Sequence, residues 1–131
     1  MVSDGDVTAS EADAIQAISG YDGSASDYDI TDTAASLISA GDDVLNVDGV
    51  DTVSVNAVGT GSVVGANDGA VLASFTADVE FDVLDTADNV AAEVTGINGA
   101  GDLDEANTVV VSGGDVTASE ADAIQAISGY D

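Results

Sequence analysis

Chemistry in this sequence has to come from carboxylates and hydroxyls. Asp and Glu make up 26 of the 131 residues, and Lys, Arg, His and Cys are absent. Two phrases carry the sharpest possibility, Asp32-Thr33-Ala34 and Asp85-Thr86-Ala87, each behind apolar residues. A pair of Asp-Thr loops is the arrangement by which a two-carboxylate protease lets its acids share one proton. Such loops turn tightly after Asp-Thr and use Gly there. Ala34 and Ala87 put a Cβ at that point, and the residues that follow read as helix. The two Asp residues are expected two strands apart, roughly 10 Å, which is too far to share a proton. The phrases therefore read as helix caps, with no catalytic role. No pair of carboxylates is singled out for glycoside hydrolysis either.

Calcium is the other chemistry open to carboxylates. Gly5-Asp6-Val7-Thr8 followed by Glu11 imitates the exit of an EF-hand loop. In the complete copy of this segment the entry positions are Val109 and Val111, which cannot ligate a metal. Strand, tight turn and capping box is the better reading. The loop clusters Asp42/Asp43, Asp48/Asp51 and Asp102/Asp104/Glu105 are stronger candidates. Two or three carboxylates with carbonyls and water can complete the six to eight oxygens that calcium takes. A solvated acidic loop is the first reading of these clusters, and weak calcium sites are the alternative.

The missing residue types exclude whole classes of function. Without Cys and His there is no thiolate or imidazole metal site, no Ser-His triad and no disulfide framework. Without Lys there is no Schiff base and no Walker-type phosphate loop. A net charge of −26 with no cation opposes nucleic acid and anionic membrane surfaces. The longest uncharged stretch, Thr52 to Asn67, is Gly-rich and shorter than a membrane span. No leader pattern is visible at the N-terminus. The chain is still not composed like a disordered acidic tail, because 45% of it is apolar. The acid is mostly Asp, with Glu only at 11, 80, 93, 105 and 120. Asp is poor inside helices but good in caps, turns and calcium sites.

A repeat organises these residues. Residues 2–22 and 111–131 differ only at Asp4 against Gly113, at an offset of 109. Residues 2–22 therefore read as the last helix of a preceding repeat, and residues 23–131 as one 109-residue repeat, with Met1 an added start. Weaker echoes lie inside: Tyr28–Ile38 resembles Phe81–Ala91, and Asp51–Val58 resembles Asn107–Gly114. The first inward apolar residues, Tyr28, Val53, Phe81 and Val109, are spaced for four coils of about 27 residues each.

Each coil has the same local logic. A short alternating segment such as Tyr28-Asp29-Ile30 or Phe81-Asp82-Val83 has the period of a strand. A helix start follows, at Asp32-Thr33, at Asp85-Thr86, and in the duplicated segment at Thr8…Glu11 and Thr117…Glu120, both capping boxes. Ala12, Ile15 and Ile18 then recur at helical spacing, as do Ala121, Ile124 and Ile127, before Gly20 and Gly129 stop the helices. Gly61–Phe75 is a poorer helix, with Gly65 and Gly69 inside it. Strand and helix alternating at a near-constant period predict an α/β fold, a right-handed parallel α/β solenoid. A parallel β-helix with extended corners is the alternative. Asp29 and Asp82 are expected outward on the first and third strands, with neutral residues between them, so that like charges stay near 10 Å apart. Tyr28–Asp32 and Asn107–Ser112 are expected to be the two open strand edges.

The phrase Tyr28-x-Ile30-x-Asp32-Thr33-Ala34-x-x-Leu37, alternating with Val-rich strands and with the helix Thr117-Ala118-x-Glu120-Ala121-x-Ala123-Ile124, resembles the repeats of very large acidic proteins secreted by cyanobacteria and other marine bacteria. Such proteins often accompany RTX-type calcium repeats and type I secretion. The resemblance covers nearly the whole chain, and its motifs are structural. It implies an extracellular or cell-surface, matrix-like role and brings no catalytic residues. The Gly-rich nonapeptide of RTX calcium coils is absent. The expected function is a structural repeat that associates with itself, head to tail, into fibres; the alternative is a calcium-dependent adhesin module that grips a partner or glycan. No enzymatic activity, nucleic-acid partner or membrane span is expected.

Overall fold

The computed structural model describes residues 3–55, 63–95 and 103–131. Seven strands are present among them: β1 (Ser3–Val7), β2 (Asp27–Asp32), β3 (Val50–Val55), β4 (Val63–Val64), β5 (Val79–Glu80), β6 (Asp82–Asp85) and β7 (Val109–Val111). They form two sheets, ordered β1-β2-β3-β5 and β4-β6-β7, and every pairing within them is parallel. Only Phe81 separates β5 from β6, so one stretch of chain closes the first sheet and opens the second. The architecture is mixed α/β with parallel sheets.

The connections are helical rather than extended corners. They are α1 (Ala9–Gln16), α2 (Ala34–Ala40), the single turn α3 (Asp42–Leu45), α4 (Ala66–Ala73), α5 (Ala87–Thr95) and α6 (Ala118–Gln125). Packing runs from α1 to α2, α2 to α4, α4 to α5 and α5 to α6, so the helices form a row in the order of the strands. Thr8, Thr33 and Thr117 are the N-caps of α1, α2 and α6, and both capping boxes form.

Alternation decides which side of each strand is buried. Tyr28 and Ile30 point into the core while Asp29 and Thr31 sit half-exposed; Val53 and Val55, then Phe81 and Val83, continue the pattern. Small helix residues, including Ala12, Ala66, Ala70 and Ala91, bring the helices close to the sheets. Gly69 is the tightest case. A Cβ there would lie 3.0 Å from Val83 Cγ2 and 3.1 Å from Phe81 Cε2.

Four expectations need correction. The inward residues are buried as expected, but Tyr28 lies opposite Val50, and Val53 lies opposite Ile30 and Val79. An irregularity between Tyr28 and Ile30 shifts the ladder, and sequence alignment has no means of seeing it. Val2-Ser3 is not a stub: Ser3–Val7 is a strand, so β2 is paired on both sides and is no edge. At the other end Val109 bridges Tyr130 in parallel, with Asp131 N–H donating to the Val109 carbonyl at 3.1 Å. Finally, α1 and α6 end at C-caps Ala17 and Ala126, before Gly20 and Gly129, whose φ of 93° and 88° turn the chain back toward the sheet.

Candidate functional site

With no cation in the chain, the carboxylates satisfy their oxygens with N–H and O–H donors, many of them on the neighbouring strand–helix unit. Asp29 Oδ1 accepts from Thr52 N–H at 3.1 Å and Thr52 Oγ1 at 2.6 Å, and Asp82 Oδ1 accepts from Thr108 Oγ1 at 2.8 Å. Thr52 and Thr108, the neutral residues beside these acids, are thus donors. Charge spacing is not maintained throughout, because Asp6 stands opposite Asp29 in the ladder.

The Asp residues of the two Asp-Thr phrases do more than the sequence suggests. Thr33, not Asp32, caps α2, accepting from Ser36 N–H at 3.3 Å. Asp32 uses Oδ1 on Thr33 N–H at 2.7 Å and Oδ2 on Ala9 N–H at 3.1 Å, at the start of the preceding helix. Asp85 repeats this on Thr86 N–H at 2.7 Å and Ala66 N–H at 3.0 Å. Gly65, the N-cap of α4, has no side chain to offer, so Asp85 supplies its missing acceptor. Partial burial pushes the Asp85 carboxyl up, but hydrogen bonds from Asn89, Ala66 and Thr86 outweigh it and hold the carboxyl below its usual range. Asp32 sits on β2 of the first sheet and Asp85 on β6 of the second.

Two of the calcium candidates are latches of the same kind. Asp42 accepts from Thr76 N–H at 2.9 Å and Ala77 N–H at 3.0 Å, and these bonds hold its carboxyl below the usual range. Asp104 Oδ1 accepts from Ser128 N–H at 2.8 Å. Asp43 borders an open groove between α1, α2 and α3 that Asp13, Asp32, Ser10, Ser36 and Ser39 also line. Asp48 and Asp51 are exposed, and Glu105 is exposed next to Asp104; Asp102 lies outside the described residues. Among the described residues no three carboxylates converge as a metal-binding group.

The duplicated segment meets two different surroundings. In the first copy α1 packs on α2, α3 and β2, which buries Ala9 to 3% and Ala12 to 0% exposure and leaves Ile18 61% exposed. In the second copy α6 packs on α5, which buries Ile124 and Ile127 to 4% and 5% while Ala118 is exposed and Ala121 half-buried. One helical sequence therefore buries its Ala face where a unit follows it and its Ile face where a unit precedes it.

Polar groups follow the same division. Tyr28 is 1% exposed, and its hydroxyl bonds to Gln16 Nε2 at 3.0 Å and Tyr21 Oη at 3.3 Å. Gln16 Nε2 also donates to the Val44 carbonyl at 2.9 Å, and Tyr21 Oη donates to the Asp48 carbonyl at 2.7 Å. Loss of hydration and the contact with Tyr28 push the Tyr21 phenol up to about 12. The counterparts Gln125 and Tyr130 in the second copy are exposed. Sequence reasoning misses this cluster; its one available signal is that an inward Tyr needs a partner for its hydroxyl. The single difference between the copies falls at a turn: Gly113, with φ 95°, accepts Ala87 N–H at 2.7 Å, where the first copy has Asp4.

No protein family, curated protein or solved structure matches this chain. No described helix is long and apolar enough to cross a membrane.

Proposed function

We propose that this chain is a structural repeat of an extracellular surface or matrix protein. Its units stack as a right-handed parallel α/β solenoid and associate with themselves head to tail into fibres. The observation that carries this reading is the duplicated segment, in which each copy leaves exposed or half-buried the face that the other copy buries. A segment with both faces covered needs a unit on either side, which is the condition inside an array. Interfaces of this kind are heterologous, and they propagate when the rotation does not close.

The carboxylates support a scaffold rather than a reaction. Asp32 and Asp85 spend their oxygens on backbone N–H groups, so the reading assigns them no catalytic role. Calcium enters as a weak, charge-screening ligand of the exposed acidic loops. Extracellular placement rests on the acidic composition and on the resemblance of the repeats to secreted surface proteins.

Electron microscopy and fibre diffraction of the chain in salt and calcium test the reading. Filaments should show a meridional strand spacing near 4.8 Å and an axial repeat of roughly 19 Å for each 109-residue unit. A chain that stays monomeric at high concentration in both salt and calcium overturns it.

A further inference from the structure

The surface on which the first copy sits is a defined seat. Its floor is β2, which pairs in parallel with β1 at Ser3 opposite Asp27 and, past an irregular step, at Asp6 opposite Asp29 and Val7 opposite Ile30. Its polar anchors are the Asp32 carboxylate for Ala9 N–H, the Tyr28 hydroxyl and Val44 carbonyl for Gln16, and the Asp48 carbonyl for Tyr21. Its apolar part closes over Ala9 and Ala12. Each of these seated groups has an identical counterpart in the second copy: Ser112, Val116, Ala118, Ala121, Gln125 and Tyr130. In the second copy those residues are exposed or half-buried.

We infer that residues 111–131 of one chain displace residues 2–22 of a second copy from this seat, so that the chains are joined by segment exchange. The inference rests on the self-association proposed above and names its interface. Seating the second copy on β2, α2 and α3 reproduces the bonds already made there by the first. The Ile124–Ile127 face stays packed on α5 of its own chain, so the donated segment ends with both faces covered. Every bond that breaks as the first copy leaves the seat re-forms with the donor, and the displaced residues regain chain entropy. Exchange therefore costs only the two bonds that hold Ser112 N–H to the Asp85 carbonyl and Ala87 N–H to the Gly113 carbonyl, and it is driven by concentration. It is slowed by the repulsion of two strongly acidic bodies, which salt or calcium screens. The donor must also straighten Ser112–Val116, which at present hooks over the start of α5 through Gly113, into a strand like Ser3–Val7.

Cysteine pairs in the full chain, which has no Cys of its own, separate this route from stacking of intact ends. Ser112→Cys with Asp27→Cys places the thiols at different sheets within one chain, one on β2 and one just after β7, and opposite each other only after exchange. Register neighbours about 4.8 Å apart fall within the Cα range of a disulfide. Oxidation in salt should give a covalent ladder in steps of one chain, 12.7 kDa. Ser3→Cys with Asp27→Cys should instead staple the first copy into its own seat and abolish assembly until the disulfide is reduced. Ile18→Ser should leave assembly unchanged, because the displaced copy takes no part in the joint. Filaments that form without the ladder, that survive the staple, or that are lost with Ile18→Ser overturn exchange and leave intact end-to-end stacking in its place. Absence of assembly in every variant and in the parent chain overturns self-association itself.

Discussion

Asp32 reaches back 23 residues and accepts the backbone N–H of Ala9 at 3.1 Å, tying the start of one helix to the strand of the unit that follows. Asp85 does the same for Ala66. The first helix has its own cap in Thr8; the helix at Ala66 begins at Gly65 and depends on the Asp85 carboxylate. Replacing Asp85 by Ala should therefore cost about 1–2 kcal/mol, and replacing Asp32 about 1 kcal/mol or less. Urea unfolding of the two variants checks the order. Equal losses would show that the Gly65 helix start does not rely on Asp85.

The duplicated helix allows one substitution to be tested in two settings. Ile127→Ala removes a buried side chain and should cost about 2–4 kcal/mol. Ile18→Ala changes an exposed position and should stay within about 0.5 kcal/mol for the monomer. Thermal melts at low concentration, where assembly does not contribute, give the comparison.

Glycines at close approaches should resist substitution unequally. Gly114 has φ 96°, and a Cβ there would lie 3.1 Å from Ala87 N, so Gly114→Ala meets both backbone strain and a backbone clash. Gly113 has φ 95° with open space around it, so Gly113→Ala meets strain alone, about 1–2 kcal/mol. The Gly114 variant should be the less stable of the two in denaturant titration.

Stability should rise and then fall as pH drops from 7. Repulsion among carboxylates that no cation offsets is relieved as the first of them protonate. Against this, the folded pKa values of Glu11, Asp42, Asp85 and Glu120 are lowered, chiefly by hydrogen bonds to their carboxylates. A depressed folded pKa gives stability that is complete above the unfolded value and is lost as pH falls through the folded one. The maximum is therefore expected near pH 5, with a decline below about pH 4. At the alkaline end the sign reverses. Tyr21, raised to about 12, adds stability that is complete below its usual value of 10.0 and disappears as pH climbs through 12. Melting temperatures across pH 2–12, with Tyr21→Phe as the alkaline control, test both limbs.

Ionic strength should act in the same direction as mild acid. Raising salt should increase the melting temperature. Calcium should increase it further at equal ionic strength if the acidic loops hold the ion, since a site filled to about ten times its Kd adds roughly 1.4 kcal/mol. Equal melting temperatures in calcium and in a matched magnesium or sodium salt would reduce calcium to a screening ion.

Local elements were legible in the amino-acid order because their signals lie within a few residues. Thr8 and Glu11, or Thr117 and Glu120, form a capping box wherever the chain places them, and both copies do. Alternation put Tyr28, Ile30, Phe81 and Val83 on the buried side of their strands. Strand and helix in alternation implied parallel pairing, which the sheets have. The rest was set by residues that are far apart along the chain and meet only in the fold. Register was one such property: an irregular ladder step placed Tyr28 beside Val50 and Ile30 beside Val53. The partners of Asp32, Asp42 and Asp104 were another, because a carboxylate looks the same in the sequence whether it stays in its own turn or reaches a neighbour. The clearest case is the duplicated segment, in which Ala12 is buried in one copy and Ile127 in the other. Identical residues have identical propensities, so only the presence of a neighbouring unit on one side or the other could decide which face was covered.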